Sequence, residues 1–402
     1  MQTAERRYAY KIRGVDKRSI AASKFPIRPL PLEDELLSSW LVRTAYMHHT
    51  DPSTFLNLHF PEYGRELWER DLDLYCDGSL VKRLAEKTGF PEEIVYKMTL
   101  NSYEGWLSEE IYPNNRNAFI IPIHRHSRNV RQFAQRLCPM CLKEDKQPYL
   151  RKKWRLFFST ACIKHNCFLI DKCSSCGEPF VIHKRLYDGD FPHCQKCGFS
   201  FKSAEPEFIG GDSGGLKALK ALYGILDGGI FMFENRPVYS FLFFDMLNHF
   251  TKLVKYGYRK SLRLEENGLA DKELPVSGIR GIPYVMELDT RQQYALFSAL
   301  TMIFENQENI TGFCAENKIT VKMLSRSMDY VPFWFAKTYD AINKAKYHYT
   351  SEEIKNGLIY LRKQGIRPGL KNLLKKFGIS VSKGKRKAFN QFLLENLNRN
   401  LR

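Results

Sequence analysis

Four pairs of metal-type ligands occupy residues 138–197 and decide the fold: Cys138-Pro-Met-Cys141, Cys162-Ile-Lys-His165, Cys173-Ser-Ser-Cys176 and Cys194-Gln-Lys-Cys197. Two residues between the ligands of a pair allow a tight turn to direct both side chains at one ion, and a tetrahedral zinc needs two such turns. Taken in chain order, the pairs predict two zinc sites, formed by Cys138, Cys141, Cys162 and His165 and by Cys173, Cys176, Cys194 and Cys197. Protein side chains fill every position of both sets, which predicts structural rather than catalytic zinc.

Structural disulfides are the alternative use of these cysteines. The start of the sequence shows no secretory signal peptide, and four paired turns in a strongly basic chain favour metal. The choice of ligands stays open, because Cys167, His183 and His193 lie close enough in the sequence to compete. Each of the three is expected to be a neighbour of a site and not a ligand.

Length and charge indicate several domains and a polyanionic partner. A chain of 402 residues is too long for one ordinary core, so about two to four domains are expected. The net charge of +18 indicates a partner such as nucleic acid. Residues 1–24 hold seven Lys or Arg against two acids, which predicts a flexible basic arm, with a transit peptide as the alternative. No apolar run has transmembrane length.

Residues 25–130 are predicted to form a helical domain. Within it, residues 78–107 have the pattern of a helix-turn-helix, with the turn at Thr88-Gly89-Phe90-Pro91. Glu92 and Glu93 lie near the start of the second helix, where a DNA-reading helix would meet phosphate. We therefore expect Glu92 and Glu93 to contact a protein partner, with DNA contact by this unit as the alternative.

A set of segments between residues 26 and 200 keeps a characteristic order and spacing. The segments are Pro29-Leu-Pro-Leu-Glu-Asp-Glu-Leu-Leu-Ser-Ser-Trp-Leu-Val-Arg43, Met98-Thr-Leu100 leading to Leu137-Cys-Pro-Met-Cys-Leu142, Trp154 through Cys162-Ile-Lys-His-Asn-Cys167-Phe-Leu169, and Cys173-Ser-Ser-Cys-Gly177. In these segments the chain resembles the TniQ/TnsD family of Tn7-like transposition target selectors, which includes CRISPR-associated members. The resemblance implies zinc at the eight ligands already named and leaves Cys167 as an extra thiol.

The part of the chain after the zinc ligands is predicted to be helical over residues 216–350, with a helix-turn-helix-like unit. Gly210-Gly-Asp-Ser-Gly-Gly215 has the composition of a hinge-like linker, and Tyr239-Ser-Phe-Leu-Phe-Phe-Asp-Met-Leu247 that of a fully buried helix. The polar residues 261–281 predict an exposed loop. A further turn is predicted at Asn317-Lys-Ile-Thr320.

Residues 351–402 are predicted to form a basic helix-turn-helix that binds DNA. From Arg367 onward, ten Lys or Arg face the single acid Glu395. The candidate DNA contacts are Lys371, Lys375, Lys383, Lys385, Arg386 and Lys387. A solvated basic face, or a surface for guide RNA, is the alternative reading of the same charge.

The predicted fold class is mainly α and multidomain, with helix-turn-helix units flanking a central double zinc-binding domain of the zinc-ribbon or knuckle type at residues 131–205. The resemblance implies a non-catalytic target-site selector in the cytoplasm of a prokaryote, associated with the nucleoid. Its implied partners are double-stranded DNA, an AAA+ transposition regulator (TnsC-like) and, indirectly, the transposase, and a homodimer is possible.

Three other functions remain open. One is docking on a CRISPR effector complex with guide RNA, and another is a zinc-containing transcription regulator. The third is a DNA-processing enzyme, which would need a cluster of carboxylates for Mg²⁺. The sequence shows no such constellation and no Walker A, nucleophile-elbow or HExxH motif, so no catalytic residue is predicted.

Overall fold

The computed structural model describes residues 23–63, 66–113, 117–123, 135–182, 192–255, 285, 288–325, 328, 330–343 and 351–377. The chain forms two compact units, residues 1–306 and residues 307–402. The described residues are mainly helical, which confirms the predicted class. The finer domain boundaries and the helix-turn-helix assignments stay predictions. No helix in these ranges is long and apolar enough to cross a membrane.

The first unit begins with a group of helices. These are α1 (Leu37–Met47), α2 (Pro52–His59), α3 (Glu66–Glu69), α4 (Leu72–Tyr75), α5 (Gly78–Thr88) and α6 (Glu92–Lys97), followed by a 3-10 turn at Leu100–Tyr103. The Asp51 carboxylate starts α2 because it accepts hydrogen bonds from the backbone N–H groups of Ser53 and Thr54, at 2.9 and 3.1 Å. α1 and α2 enclose a core in which the ring of Phe25 lies 4.9 Å from that of Phe55.

The turn between α5 and α6 follows the predicted pattern. Asp77 caps α5 through the Leu80 N–H, at 2.9 Å, and Gly89 ends it with φ +75°, a left-handed conformation that favours glycine. Pro91 directly precedes α6, which has six residues. The two predicted helices are therefore present, although the second is short.

The predicted zinc-binding region shares a core with α1. Its elements are α7 (Pro139–Glu144), a 3-10 turn at Lys152–Arg155, the antiparallel strands β1 (Ala161–Cys162) and β2 (Cys167–Phe168), and a 3-10 turn at Phe201–Ser203. Val42 of α1 belongs to the same buried cluster as Leu137 and Leu142. Within the described ranges, the cysteine-rich region therefore shares a hydrophobic core with α1 and does not form a separate core of its own.

The rest of the first unit packs three longer helices around a β-hairpin. These elements are α8 (Gly214–Gly228), β3 (Ile230–Phe233), β4 (Arg236–Tyr239), α9 (Ser240–Lys255) and α10 (Thr290–Ile303). The hairpin was not predicted, because its turn residues Glu234 and Asn235 lack the usual Asn-Gly signal. Both nevertheless adopt positive φ, 49° and 60°, as a tight two-residue turn requires.

Two predictions for this region are wrong in part. Gly215 lies in the first turn of α8 and is buried against the ring of Tyr294, so it serves close packing and not a hinge. The predicted buried helix begins at Ser240 and exposes Asp245, while Tyr239 lies in β4 with 65% of its surface exposed. The mostly apolar run at residues 239–247 gave no signal for the boundary between β4 and α9, which lies between Tyr239 and Ser240. The polar residues 261–281 lie outside the described residues.

Within its described residues, the second unit contains two groups of helices. The first comprises α11 (Gln307–Glu316), α12 (Val321–Leu324), a 3-10 turn at Phe333–Phe335 and α13 (Ala336–Asn343). The turn predicted at residues 317–320 is present, with Lys318 at φ 55°. The second group comprises α14 (Ser351–Lys363) and α15 (Leu370–Phe377), which pack through Leu358, Leu361 and Leu373.

Candidate metal centres

The first candidate centre gathers ligands from α7 and from the β1–β2 hairpin. Cys138 precedes α7 and Cys141 lies within it, whereas Cys162 ends β1 and His165 lies in the loop to β2. Nδ1 of His165 lies 3.5 Å from Sγ of Cys138 and 3.4 Å from Sγ of both Cys141 and Cys162. The structure therefore brings together the four ligands that the sequence assigned to one ion.

The separations fit a tetrahedral zinc. Zinc–sulfur bonds of about 2.3 Å and zinc–nitrogen bonds of about 2.0–2.1 Å put neighbouring ligand atoms about 3.5–3.8 Å apart. The Sγ atoms of Cys141 and Cys162 are separated by 3.6 Å, and the sulfur–nitrogen distances are within about 0.2 Å of this range. All four donors are of types that zinc prefers, so these residues would hold it as a closed structural ion.

Glu144 orients His165 from outside the ligand set. Its Oε2 lies 2.9 Å from Nε2 of His165, and it is also bonded to Nζ of Lys164 at 2.8 Å. A carboxylate on the outer nitrogen keeps the proton there and leaves Nδ1 as the donor toward the metal. Glu144 is not among the residues predicted from the sequence, although its position three residues after Cys141 on a short helix is a usable signal.

Cys167 lies beside this centre and outside the four-ligand group. Cys167 is fully buried, and its backbone lies opposite that of Cys162 in the β1–β2 ladder. Its Sγ lies 3.7 Å from Sγ of Cys138. This fits its expected role as a neighbour whose thiol can donate to the Cys138 sulfur. His193 forms a backbone bridge with Ser200, and His183 lies outside the described residues.

The second candidate centre is formed by two similar cysteine turns. Sγ of Cys173 lies 3.6 Å from Sγ of Cys197, and Sγ of Cys176 lies 3.6 Å from Sγ of Cys194. The four sulfur atoms lie within 4.8 Å of one another. They are the four cysteines predicted for the second ion, and their separations also suit zinc.

Three of the four turns close in the same way. The residue after the second ligand has positive φ in each: Asn166 at 49°, Gly177 at 70° and Gly198 at 74°. Its backbone N–H bonds to the carbonyl of the first ligand, at 2.8 to 3.0 Å. Glycine and asparagine are the residues that adopt this conformation most easily. The turn Cys138–Cys141 differs because α7 continues from it.

Protons compete with a metal for these thiols. The backbone N–H of Phe199 lowers the pKa of Cys197 to about 7, whereas burial raises the pKa of Cys173 to about 12. The neighbouring thiols of Cys138 and Cys162 raise the pKa of Cys141. Zinc must therefore displace protons, which makes metal loading weaker at low pH.

The predicted partner and DNA residues occupy other surfaces. Glu92 and Glu93 are exposed at the start of α6 and line a groove of about 610 Å³. Lys371 and Lys375 are exposed on α15 of the second unit. The other four candidate DNA contacts, Lys383, Lys385, Arg386 and Lys387, lie outside the described residues.

Comparison with known proteins supports the resemblance over the N-terminal part. No curated protein matches the chain. The model of the TniQ family matches residues 26–169, which contain α1 to α7, the β1–β2 hairpin and all four ligands of the first centre. The second centre and the second unit lie beyond the match. The comparison therefore shows a similarity to the TniQ family that is confined to residues 26–169.

Proposed function

We propose that this protein is a non-catalytic adaptor that selects the target site in Tn7-like DNA transposition. The observation that carries the proposal is the family match, which spans α1 to α7 and the first metal centre as one continuous block. The family implies a connection to Tn7-like transposition. In this proposal the two zinc ions are structural and hold the central region of the chain in shape.

The separation of charge supports a division of labour along the chain. Residues 307–402 hold nineteen Lys or Arg against seven acids, and so carry most of the net charge of +18. On α15, Lys371 and Lys375 point into solvent one helical turn apart, a spacing that can follow a phosphate backbone. We assign double-stranded DNA to this second unit.

The N-terminal helices are better suited to a protein partner. Glu92 and Glu93 are exposed beside a groove in the first unit, and carboxylates there would repel phosphate. We assign this surface to the AAA+ regulator of transposition, which would in turn engage the transposase. The adaptor thus bridges DNA and an ATPase through separate surfaces.

A specific arrangement argues against a metal-dependent nuclease. Asp71 and Asp73 lie close together, as two-metal enzymes require, but both are buried and both bond to the guanidinium of Arg155. Because the guanidinium already bonds to both carboxylates, they are not available to hold Mg²⁺. Among the described residues, the groups with metal-ligand spacing are the two cysteine-rich sets.

The test is a recruitment assay with purified protein, the AAA+ regulator and DNA. Full-length protein should bind genomic DNA fragments and then retain the ATPase in a nucleotide-dependent manner. Glu92→Lys/Glu93→Lys should reduce ATPase retention and leave DNA binding intact, and Glu33→Lys/Glu205→Lys is the matched control because it makes the same charge change at exposed positions. Absence of ATPase retention by the full-length protein on any captured DNA would refute the proposal. DNA binding that requires a guide-RNA effector complex would support the RNA-guided branch instead.

A further inference from the structure

The groove beside α6 combines an apolar floor with an acidic rim. Leu74, Val81 and Ile111 contribute to the floor, and Glu92, Glu93 and Glu104 to the rim. The three glutamates are exposed. A volume of about 610 Å³ is enough for several side chains of an extended peptide. Such a surface suits a segment that alternates apolar and basic residues.

The chain itself contains a segment of this kind. Residues 1–22 hold six Lys or Arg against two acids, and Tyr8, Tyr10 and Ile12 alternate with the basic positions. The apolar side chains of such a segment match the floor of the groove, and its cations match the rim. Its composition thus complements the groove in both respects.

The N-terminal segment leaves the described structure at the opposite end of α5 from the groove, one helix length away. Nζ of Lys87 donates to the carbonyl of Ser23 at 2.7 Å, and the N–H of Phe25 donates to the carbonyl of Lys87 at 2.8 Å. These bonds fix the exit point at the carboxyl end of α5, whose amino end lines the groove. The eleven residues of α5 span about 16 Å. A segment of 22 residues can extend about 70 Å, so it reaches the groove with most of its length to spare.

We propose that residues 1–22 dock into this groove of their own chain and occlude Glu92 and Glu93. Because the arm is tethered, its effective concentration at the groove is about millimolar, so even a weak contact is mostly formed. As an autoinhibitory device this rests on the proposed function, since the arm would compete with the partner assigned to the same surface. The docking itself is a property of the isolated protein.

Limited trypsin digestion of the full-length protein tests the docking without any partner. Trypsin cuts after Lys and Arg, so its early cleavages within residues 1–22 report the exposure of the arm, followed by intact mass. With an effective concentration of about 1 mM and a dissociation constant for docking of about 0.1 mM, the arm is undocked about one tenth of the time. Trypsin should therefore cut it about tenfold more slowly than an arm that does not dock. Glu92→Gln/Glu93→Gln should restore fast cleavage, and Gln is used because it creates no trypsin site. Glu33→Gln/Glu205→Gln is the control with the same loss of charge.

Each outcome decides the proposal. Slow cleavage in the wild type and the control, fast cleavage in the groove variant, and loss of the difference in 1 M salt would support it, since salt screens exposed charges. Equal cleavage rates in all three proteins would overturn it. Protection that disappears on dilution would place the arm in a second copy and also overturn docking in cis. A failure of ATPase recruitment would leave this result unchanged, so the two proposals fail separately.

Discussion

Arg155 and Asp73 form an ion pair in the interior of the first unit, with Nη1 of Arg155 3.1 Å from Oδ2 of Asp73. Arg155 also bonds to Asp71, so one cation serves two carboxylates. Ser38 on α1 completes the group, since its N–H and its hydroxyl each donate to Asp73 at 2.8 Å. The turn that precedes β1 is thereby joined to α1 and α4. Burial raises the pKa of Asp73 to about 7, while Arg155 opposes that shift.

The first prediction concerns the pH dependence of stability. Burial raises the pKa of Asp73 to about 7 in the folded state, against about 4 in the unfolded state, so Asp73 is fully charged in its pair with Arg155 only above about pH 7. The contribution of Asp73 to the free energy of unfolding therefore falls as pH rises from about 4 to about 7, by an amount on the order of a few kcal/mol. Asp73→Asn should flatten this slope in denaturant titrations, and Asp212→Asn, at an exposed position, should keep it. An unchanged slope in Asp73→Asn would show that Asp73 stays ionised throughout.

The second prediction is that the purified protein carries two zinc ions, because both ligand sets have zinc geometry. Elemental analysis should give about two zinc per chain. Cys176→Ser should lower this to about one and expose residues 173–197 to protease, since metal binding stabilises such turns directly. Cys314→Ala changes a buried thiol far from both sets in sequence and should retain both ions. Less than one zinc per chain in undamaged wild-type protein would contradict the prediction of two zinc sites.

The third prediction isolates the role of Glu144. Glu144→Gln removes the charge that holds the outer nitrogen of His165, and should weaken zinc at the first centre about 10- to 100-fold. The rate of zinc transfer to a chromogenic chelator measures the change in affinity. In Glu144→Gln, the ion of the first centre should be released early and the ion of the second centre at the wild-type rate. Glu205→Gln is the control on an exposed carboxylate outside the site. Identical release from Glu144→Gln and wild type would reduce this contact to a surface ion pair.

The fourth prediction compares two glycines of α8. A Cβ at Gly215 would overlap the ring of Tyr294, whereas a Cβ at Gly224 would meet no atom within 4 Å. Gly215→Ala should therefore destabilise the protein by about 1–3 kcal/mol through overpacking. Gly224→Ala should stabilise it by up to about 1 kcal/mol because alanine favours the helix. Chemical denaturation measures both, and a gain in stability for Gly215→Ala would show that Tyr294 moves aside freely.

The fifth prediction concerns DNA binding by the second unit. If Lys371 and Lys375 contact phosphates, Lys371→Ala/Lys375→Ala should reduce the slope of log affinity against log salt by about two. Lys217→Ala/Lys220→Ala removes the same charge from exposed positions on α8 and should leave the slope unchanged. DNA affinity that survives deletion of residues 367–402 would show that the charge of this segment has another role.

Features that depend on local spacing could be predicted from the chain alone. Two residues between ligands fix the geometry of each metal-binding turn, so both ligand sets could be assigned in advance and the structure gathers the same eight residues. The end of α5 at Gly89 was predictable for a similar reason, since a helix cap acts within a few residues. The chain order alone left Cys167 open as a competing ligand, and the structure places its sulfur 3.7 Å from that of Cys138.

Contacts that join distant segments became visible only in the folded protein. Arg155 bonds to Asp71 across 84 positions, and Gly215 faces Tyr294 of another helix, although nothing in the local sequence marks either pair. The groove near Glu92 likewise combines residues from Leu74 to Pro113. Such contacts form because burial of apolar surface is favourable, whereas a buried charge must be paired with a partner. Both conditions depend on the whole fold and not on any short sequence pattern.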